Sequence, residues 1–189
     1  MLLDLITKNR SYRRFDQSAT VSMDTLRELV NYARLSASGR NIQPLKYYLS
    51  CDPQTNQRIF QQLGWAAYLK DWPGPQEGEH PAAYIIILGD NTISASFGVD
   101  HGIAAQSILL GAVEHGLGGC IVATVRRSDL CADLKIPDHL EVLLVIALGK
   151  PVEEVVLEPL GTDGDVRYWR DERGVHHVPK RALDDIIIN

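Results

Sequence analysis

A basic segment near the N-terminus holds the residues best suited to chemistry in this 189-residue chain. Residues 9–15 read NRSYRRF, with three arginines and one serine inside five positions. Each arginine presents a planar fork of N–H donors that matches the oxygens of a phosphate group in pairs. If the chain is extended after Ile6, alternate side chains share a face, so Ser11 and Arg13 point away from Arg10. The segment is a candidate grip for a phosphorylated ligand, with a solvated basic turn as the alternative.

A second polar cluster, SASGRNIQP, occupies residues 36–44. It follows a helical pattern and precedes a strand-like run, and its small residues, glycine and proline are typical of a loop. The side-chain amides of Asn41 and Gln43 can donate and accept together against the edge of a heterocycle or a sugar hydroxyl. The alternative is that these two amides only satisfy the backbone of their own loop.

Together, the pattern Arg-Ser-x-Arg-x-Phe at 10–15 and the pattern Ser-x-x-Asn-x-Gln-Pro at 38–44 resemble the nitroreductase family. Members of that family are FMN-dependent homodimers. Further segments resemble the family's central helix, glycine turn with its following strand, last core strand and C-terminal basic element. These segments are, in that order, 100–112, 115–121, 146–151 and 179–181. The likeness therefore extends from Ile6 to Arg181.

The resemblance implies a cofactor and a reaction. FMN would take electrons from NADH or NADPH and pass two of them to a nitroaromatic, a quinone or a related small acceptor. It assigns the FMN phosphate to Arg10 and to Lys180 or Arg181. Ser11 and Arg13 would lie further along, toward the ribityl chain and the C2 carbonyl edge of the ring. Tyr12 would contribute its backbone and packing.

The remaining contacts implied by the resemblance come from two other places. Ser38, Arg40, Asn41 and Gln43 would reach the ring or ribityl chain from the other subunit of a homodimer. The backbone at Ala123 and Thr124, after the glycine turn, would offer an N–H to the flavin N5 atom. No side-chain acid or base is required, because a flavin carries the electron chemistry itself.

Two alternatives stay open. Relatives of the same fold fragment reduced flavin, remove halogen from tyrosine derivatives or oxidise peptide-derived rings, and fold alone does not decide the substrate. A non-catalytic module that holds a phosphorylated ligand through Arg10, Arg13 and Arg14 is the second alternative. Residues 63–82 match no family pattern. With three prolines and two glycines between positions 72 and 81, they predict a variable loop or lid.

Composition and motifs argue against several other classes of protein. The net charge of −5 and the lack of a basic stripe argue against nucleic-acid binding. No apolar run approaches the roughly 20 residues that span a bilayer, and the start lacks the features of a signal peptide. Three cysteines without C-x-x-C spacing indicate reduced thiols in a cytoplasm. No metal site is expected, because the adjacent His176 and His177 would face opposite sides of a strand.

The elements that must position these residues are predicted from periodicity and caps. Helices are expected at 22–35, with Ser22 as N-cap, at 54–63, at 99–115, and from Ser128 to about Lys135. Strands are expected at 46–50, 83–88, 120–125 and 141–148. The glycine turn at 116–119 precedes a strand, whereas a dinucleotide fingerprint follows one, so a Rossmann fold is excluded.

The fold class is therefore α+β. We expect one domain over 1–189, an α/β sandwich with a central mixed or antiparallel sheet flanked by helices, as in nitroreductases. The helix at 99–115 is apolar around most of its circumference, so it must be buried in the core or at a subunit interface. With the resemblance, this predicts a domain-entwined homodimer.

Overall fold

The structure is a computed structural model that describes all residues from 1 to 189. Its central sheet has five strands, in which β5 pairs with three others and every pairing is antiparallel. The strands are β1 (Phe15–Asp16), β2 (Leu45–Ser50), β3 (Ala83–Asp90), β4 (Gly118–Val122) and β5 (Leu140–Pro151). β3 and β4 flank β5, β2 lies outside β3, and β1 pairs with the last two residues of β5. The sheet is thus the antiparallel one of the two expected forms.

Five α-helices surround this sheet. They are α1 (Leu2–Lys8), α2 (Met23–Leu35), α3 (Pro53–Gln61), α4 (Asp100–Glu114) and α5 (Arg127–Leu134). Ser22 caps α2 as predicted, because its side chain accepts a hydrogen bond from the Thr25 N–H. None of the helices combines the length and the apolar character that a membrane span requires.

Both faces of β3 are buried, and this produces the sandwich. Ile85 and Ile87 pack on one face with α2 and α4, represented by Leu29 and Ile108. Residues of even number, including Ile86, pack on the other face with α3 and α5. The strand predicted at 83–88 is confirmed, and its apolar residues are buried on both faces of the sheet.

A second, smaller sheet follows the central one in the chain. Its strands are β6 (Val155–Pro159), β7 (Trp169–Arg170) and β8 (His176–Lys180), with β8 in the middle. β6 runs parallel to β8, and β7 runs antiparallel to it. Sequence analysis did not predict this sheet, because two of its strands are polar and one is only two residues long.

Three local predictions need correction. The residues before the basic segment form α1, which continues to Lys8, so the chain is not extended directly after Ile6. Helix α5 begins at Arg127 with Arg126 at the cap, so Ser128 is helical rather than capping. Strand β4 ends at Val122, three residues before the expected end, because the chain there turns to pair with Leu63.

Candidate functional site

A cavity of about 280 Å³ lies where the basic segment meets α4, β4 and β8. Three cationic side chains line it, those of Arg10, Arg13 and Lys180, and no carboxylate does. The other lining residues are Asn9, Ser11, Gln106, Leu109, Gly119, Ile121, Tyr168, His176 and Val178. In a chain of net charge −5, a cavity with this lining is suited to an anion.

Arg10 enters the cavity because helix α1 ends just before it. Its Nη2 donates to the carbonyl of Ile6 at 2.7 Å, which folds the side chain back along the helix. The Nε–H is buried without a hydrogen-bond partner, and burial lowers the pKa of this arginine from its ordinary value. Arg10 therefore shares one cavity with Ser11 and Arg13, so the alternation predicted for an extended chain is wrong at this residue.

Arg13 is the most enclosed of the three cations, with only 9% of the residue exposed. Its Nη1 lies 3.3 Å from His176 Nε2 and donates to the Ser11 carbonyl at 3.3 Å. The guanidinium carbon lies 4.8 Å from the centre of the Tyr168 ring, a cation–π distance. Arg13 is thus held on several sides before any ligand is considered.

A buried carboxylate fixes the backbone of the basic segment. Glu153 accepts hydrogen bonds from the N–H groups of Arg13 and Arg14, the second at 3.2 Å. Its other oxygen forms an ion pair with Arg170 at 2.8 Å, and the Glu153 side chain is only 1% exposed. The Arg14 side chain does not line the cavity, because its Nε donates a hydrogen bond to Glu79 outside it at 2.9 Å.

Glycines allow the basic segment to lie directly on β4. Ser11 bridges to Gly119, and the Tyr12 N–H donates to the Gly119 carbonyl at 3.0 Å. A Cβ at Gly119 would lie 2.6 Å from Leu109, and one at Gly118 would lie 2.5 Å from the Tyr12 ring. Tyr12 packs here and does not line the cavity.

Ile121 of β4 lines the cavity, but Ala123 and Thr124, which follow β4, do not. Ala123 and Thr124 are both exposed, and their N–H groups make no hydrogen bond within the chain. The Thr124 carbonyl accepts from the Gly64 N–H at 2.9 Å, which fixes the turn. These two N–H groups are therefore free of protein partners, two and three residues after Ile121 of the cavity lining.

The loop 38–43, called here the amide loop, has an unusual backbone. Arg40, Asn41 and Gln43 have φ angles of 51°, 56° and 53°, in the left-handed region that non-glycine residues rarely adopt. Ser38 Oγ donates to Asp100 at 2.5 Å and accepts from the Gln43 N–H at 2.9 Å. These bonds tie the loop to the start of α4.

Within one chain, the amide loop and the basic segment do not form a single site. Ser38 and Gln43 line a different cavity, of about 170 Å³, together with Asp100. Arg40 and Asn41 are exposed, and Arg181 is exposed and lines neither cavity. Of the predicted contacts, the structure brings together Arg10, Ser11, Arg13 and Lys180.

Several lining residues escaped sequence analysis. Gln106 is a polar residue within an apolar stretch of α4, and this position is a signal in the sequence that could have identified it. Its Oε1 accepts a hydrogen bond from Asn9 Nδ2 at 3.4 Å. Tyr168 and His176 belong to the unpredicted small sheet, and no local pattern marks them. Glu153 is one carboxylate among 24 acidic residues in the sequence, and only its burial sets it apart.

The chain matches the model of the nitroreductase family over residues 6–150. It is 27% identical over 175 residues to the NADPH-flavin oxidoreductase of Vibrio harveyi, a match that covers 83% of this chain and 68% of the relative.

Solved structures share the fold. The nitroreductase family protein of Streptococcus pneumoniae TIGR4 superposes with a TM-score of 0.74 at 16% identity, covering 100% of both chains. An FMN-dependent nitroreductase of Clostridium difficile R20291 gives a TM-score of 0.65 at 21% identity, covering 80% of this chain and 88% of the other. The family match covers most of the sequence, and the chain therefore belongs to the nitroreductase family.

Proposed function

We propose that this protein is an FMN-dependent oxidoreductase that transfers two electrons from NADH or NADPH to a nitroaromatic, quinone or related small acceptor. The observation that carries the proposal is the carboxylate-free cavity that gathers Arg10, Arg13 and Lys180 in a member of the nitroreductase family. The relatives named above include a flavin oxidoreductase and an FMN-dependent nitroreductase.

The residues present fit FMN by their chemistry. A phosphate group needs cationic N–H donors, and Arg10 has a buried Nε–H that no protein group accepts. A flavin ring needs apolar walls, which Leu109, Ile121 and Val178 supply. Sites for ligands of this size usually have volumes of about 300–1,000 Å³. The cavity of about 280 Å³ lies just below this range, as expected if one subunit supplies only part of the site.

Each of these residues would have a distinct task. Arg10 and Lys180 would bind the phosphate, with Arg181 close enough in sequence to assist. Ser11 and Arg13 would orient the polar edge of the ring, and the backbone at Ala123 and Thr124, just after β4, would offer it an N–H group. Bound FMN would supply the redox chemistry, so the protein needs no side-chain nucleophile or base.

The first experiment asks for the cofactor and its turnover. Purified protein should be yellow and release FMN on denaturation, and anaerobic NADH or NADPH should bleach it. Addition of a quinone or a nitroaromatic should then restore the colour. A colourless protein that does not take up added FMN would refute the proposal. A bound flavin that neither nicotinamide bleaches would favour a binding module.

We further propose a homodimer in which the flavin site is shared. Helix α1 exposes Leu2 and Leu3 at 63% and 72%, and Val99, at the start of α4, is 72% exposed. Large apolar side chains left exposed on helices are candidates for a subunit interface, and two-fold dimers are the commonest oligomers. The amide loop of one subunit would then meet the basic segment of its partner.

Complementation between two defective subunits tests the shared site. One subunit carries Arg10→Gln and the other carries Asn41→Ala, and the heterodimer is purified with two different tags. A shared site leaves one of the two sites with both wild-type contacts, so half of the FMN should bind with full affinity. If each subunit builds its own site, both sites lack one contact and none binds normally. Light scattering on the holoprotein should give the mass of a dimer.

The compartment is a separate proposal. Cys51, Cys120 and Cys131 are all free thiols, and burial raises the pKa of Cys120 from its ordinary value. Free thiols persist in reducing compartments, so we place the protein in the cytoplasm. Fractionation of the cells that make the protein would test this placement.

A further inference from the structure

We infer that His176, on β8, is a positioning residue of the cofactor site: its imidazole accepts a hydrogen bond from Arg13 and fixes the direction of that guanidinium. The inference rests on the proposed function, because Arg13 matters here as a contact to the flavin. β8 lies outside residues 6–150, which match the family. The role therefore belongs to the part of this chain that the family match does not include.

The geometry around Arg13 leaves part of its donor set free. Nη1 is shared between His176 Nε2 and the Ser11 carbonyl, each at 3.3 Å. Tyr168 covers the guanidinium at 4.8 Å. Nε and Nη2 donate to no oxygen or nitrogen atom of the protein, and the nearby Cys120 thiol is only a weak acceptor, so these two groups can turn to a ligand in the cavity. One end of the guanidinium is thus anchored and the other end presented.

The direction of the hydrogen bond determines the state of His176. An arginine has donors only, so Nε2 of His176 must be the acceptor and the ring must be neutral with its proton on Nδ1. The residue is 1% exposed. Burial, followed by the charges of Arg13 and Arg170, lowers its pKa to about 4. His176 therefore stays an acceptor throughout the neutral range.

The chemistry of the side chain at 176 should then control the orientation of Arg13. Leucine fills comparable space but accepts no hydrogen bond, so Arg13 would keep only the Ser11 carbonyl for Nη1. Glutamine is polar and its side-chain oxygen can accept from Nη1. His177 provides a matched control, because it faces the other side of β8, where it stacks on Trp169 at 4.0 Å and contacts Glu158 at 3.0 Å.

The test compares FMN affinity and the midpoint potential of the bound flavin in wild type, His176→Leu, His176→Gln and His177→Gln. The hydrogen bond from the charged Arg13 to His176 holds the guanidinium in place for FMN. Its loss in His176→Leu should weaken FMN binding about tenfold or more. Its flavin potential should become more negative, since the cation beside the ring is less well placed. His176→Gln should remain within about threefold of wild type, in the range of a modest net hydrogen-bond difference.

Two results of this comparison would overturn the inference. One is FMN affinity and potential in His176→Leu equal to those of wild type. The other is an equal loss in the leucine and glutamine variants, which would assign His176 to packing alone. If wild type itself binds no FMN, the proposed function fails instead.

Nitrogen NMR of the labelled imidazole tests the contact without any flavin. The inference predicts the tautomer with the proton on Nδ1 in the wild-type protein. The tautomer with the proton on Nε2 would contradict the inference even if the variants bind FMN less well.

Discussion

The carboxylate of Asp100 accepts a hydrogen bond from the Ser38 hydroxyl at 2.5 Å, and its second oxygen accepts from the Gly39 N–H at 2.9 Å. Asp100 is the first residue of α4 and is only 7% exposed. The amide loop beyond it holds three non-glycine residues in the left-handed region, each at a cost of about 1–2 kcal/mol. Asp100 therefore anchors a loop that would otherwise relax.

Asp100→Ala should destabilise the protein and weaken FMN binding together. It removes the charged acceptor of two hydrogen bonds, each of which contributes about 1.5–3 kcal/mol at most because the donors are partly exposed. The matched control is Asp24→Ala, an exposed carboxylate in the first turn of α2 without a side-chain partner. Thermal unfolding and FMN titration of both variants would measure the effect. Wild-type stability in Asp100→Ala would contradict the anchoring role.

Glu153→Ala should be strongly destabilising. The change leaves the N–H groups of Arg13 and Arg14 without their acceptor and leaves Arg170 without its ion-pair partner. Removing one member of a buried pair costs about 3–5 kcal/mol. Urea denaturation would give the free energy of unfolding. The exposed neighbour Glu154, changed to alanine, should alter it little, and similar losses in the two variants would argue against a specific role for Glu153.

Acid should destabilise the fold in part through His176. Its pKa falls from 6.5 in the ordinary state to about 4 in the folded protein, chiefly because of burial. Between these two values the unfolded chain binds the proton more tightly, so the free energy of unfolding decreases as the pH falls from 6.5 toward 4. His176→Gln should lose less stability than wild type over this window. Parallel curves for the two proteins would exclude the contribution.

Gly119→Ala should lower stability by about 1–3 kcal/mol, the usual cost of overpacking. The added Cβ would meet Leu109 of α4 at 2.6 Å and the Ala147 carbonyl of β5 at 2.8 Å, and relief would push β4 away from these two elements. Gly102, on α4, has open space around the same position. Gly102→Ala should therefore preserve or slightly raise the melting temperature. A tolerated Gly119→Ala would show that the close approach of β4 is not needed.

Much of the fold could be predicted because its signals are local. Helix α2 has a cap and apolar residues at helical spacing, and β3 is an uninterrupted apolar run between turns. Helix α1 was missed because seven residues give a weak periodic signal. The small sheet was missed because its strands depend on pairing with one another: β7 and β8 are polar, and β6 has only three apolar residues in a row.

The candidate site could be predicted only in part, for the same reason. The cations of the basic segment stand out by composition, and Arg10, Ser11 and Arg13 indeed line one cavity. The contact between Arg13 and His176 joins residues 163 positions apart, and the burial of Glu153 depends on the complete fold. Neither is encoded in a short pattern, so both had to come from the structure.

The most direct test of the account is a comparison of FMN with riboflavin, which differ only in the phosphate. Apoprotein should bind FMN at least about tenfold more tightly than riboflavin, because charge-assisted hydrogen bonds from Arg10 and Lys180 add to the affinity. In Arg10→Gln this preference should shrink, while the affinity for riboflavin should change little. Equal affinities for FMN and riboflavin in the wild-type protein, or an undiminished preference in Arg10→Gln, would contradict the assignment of this cavity to the cofactor.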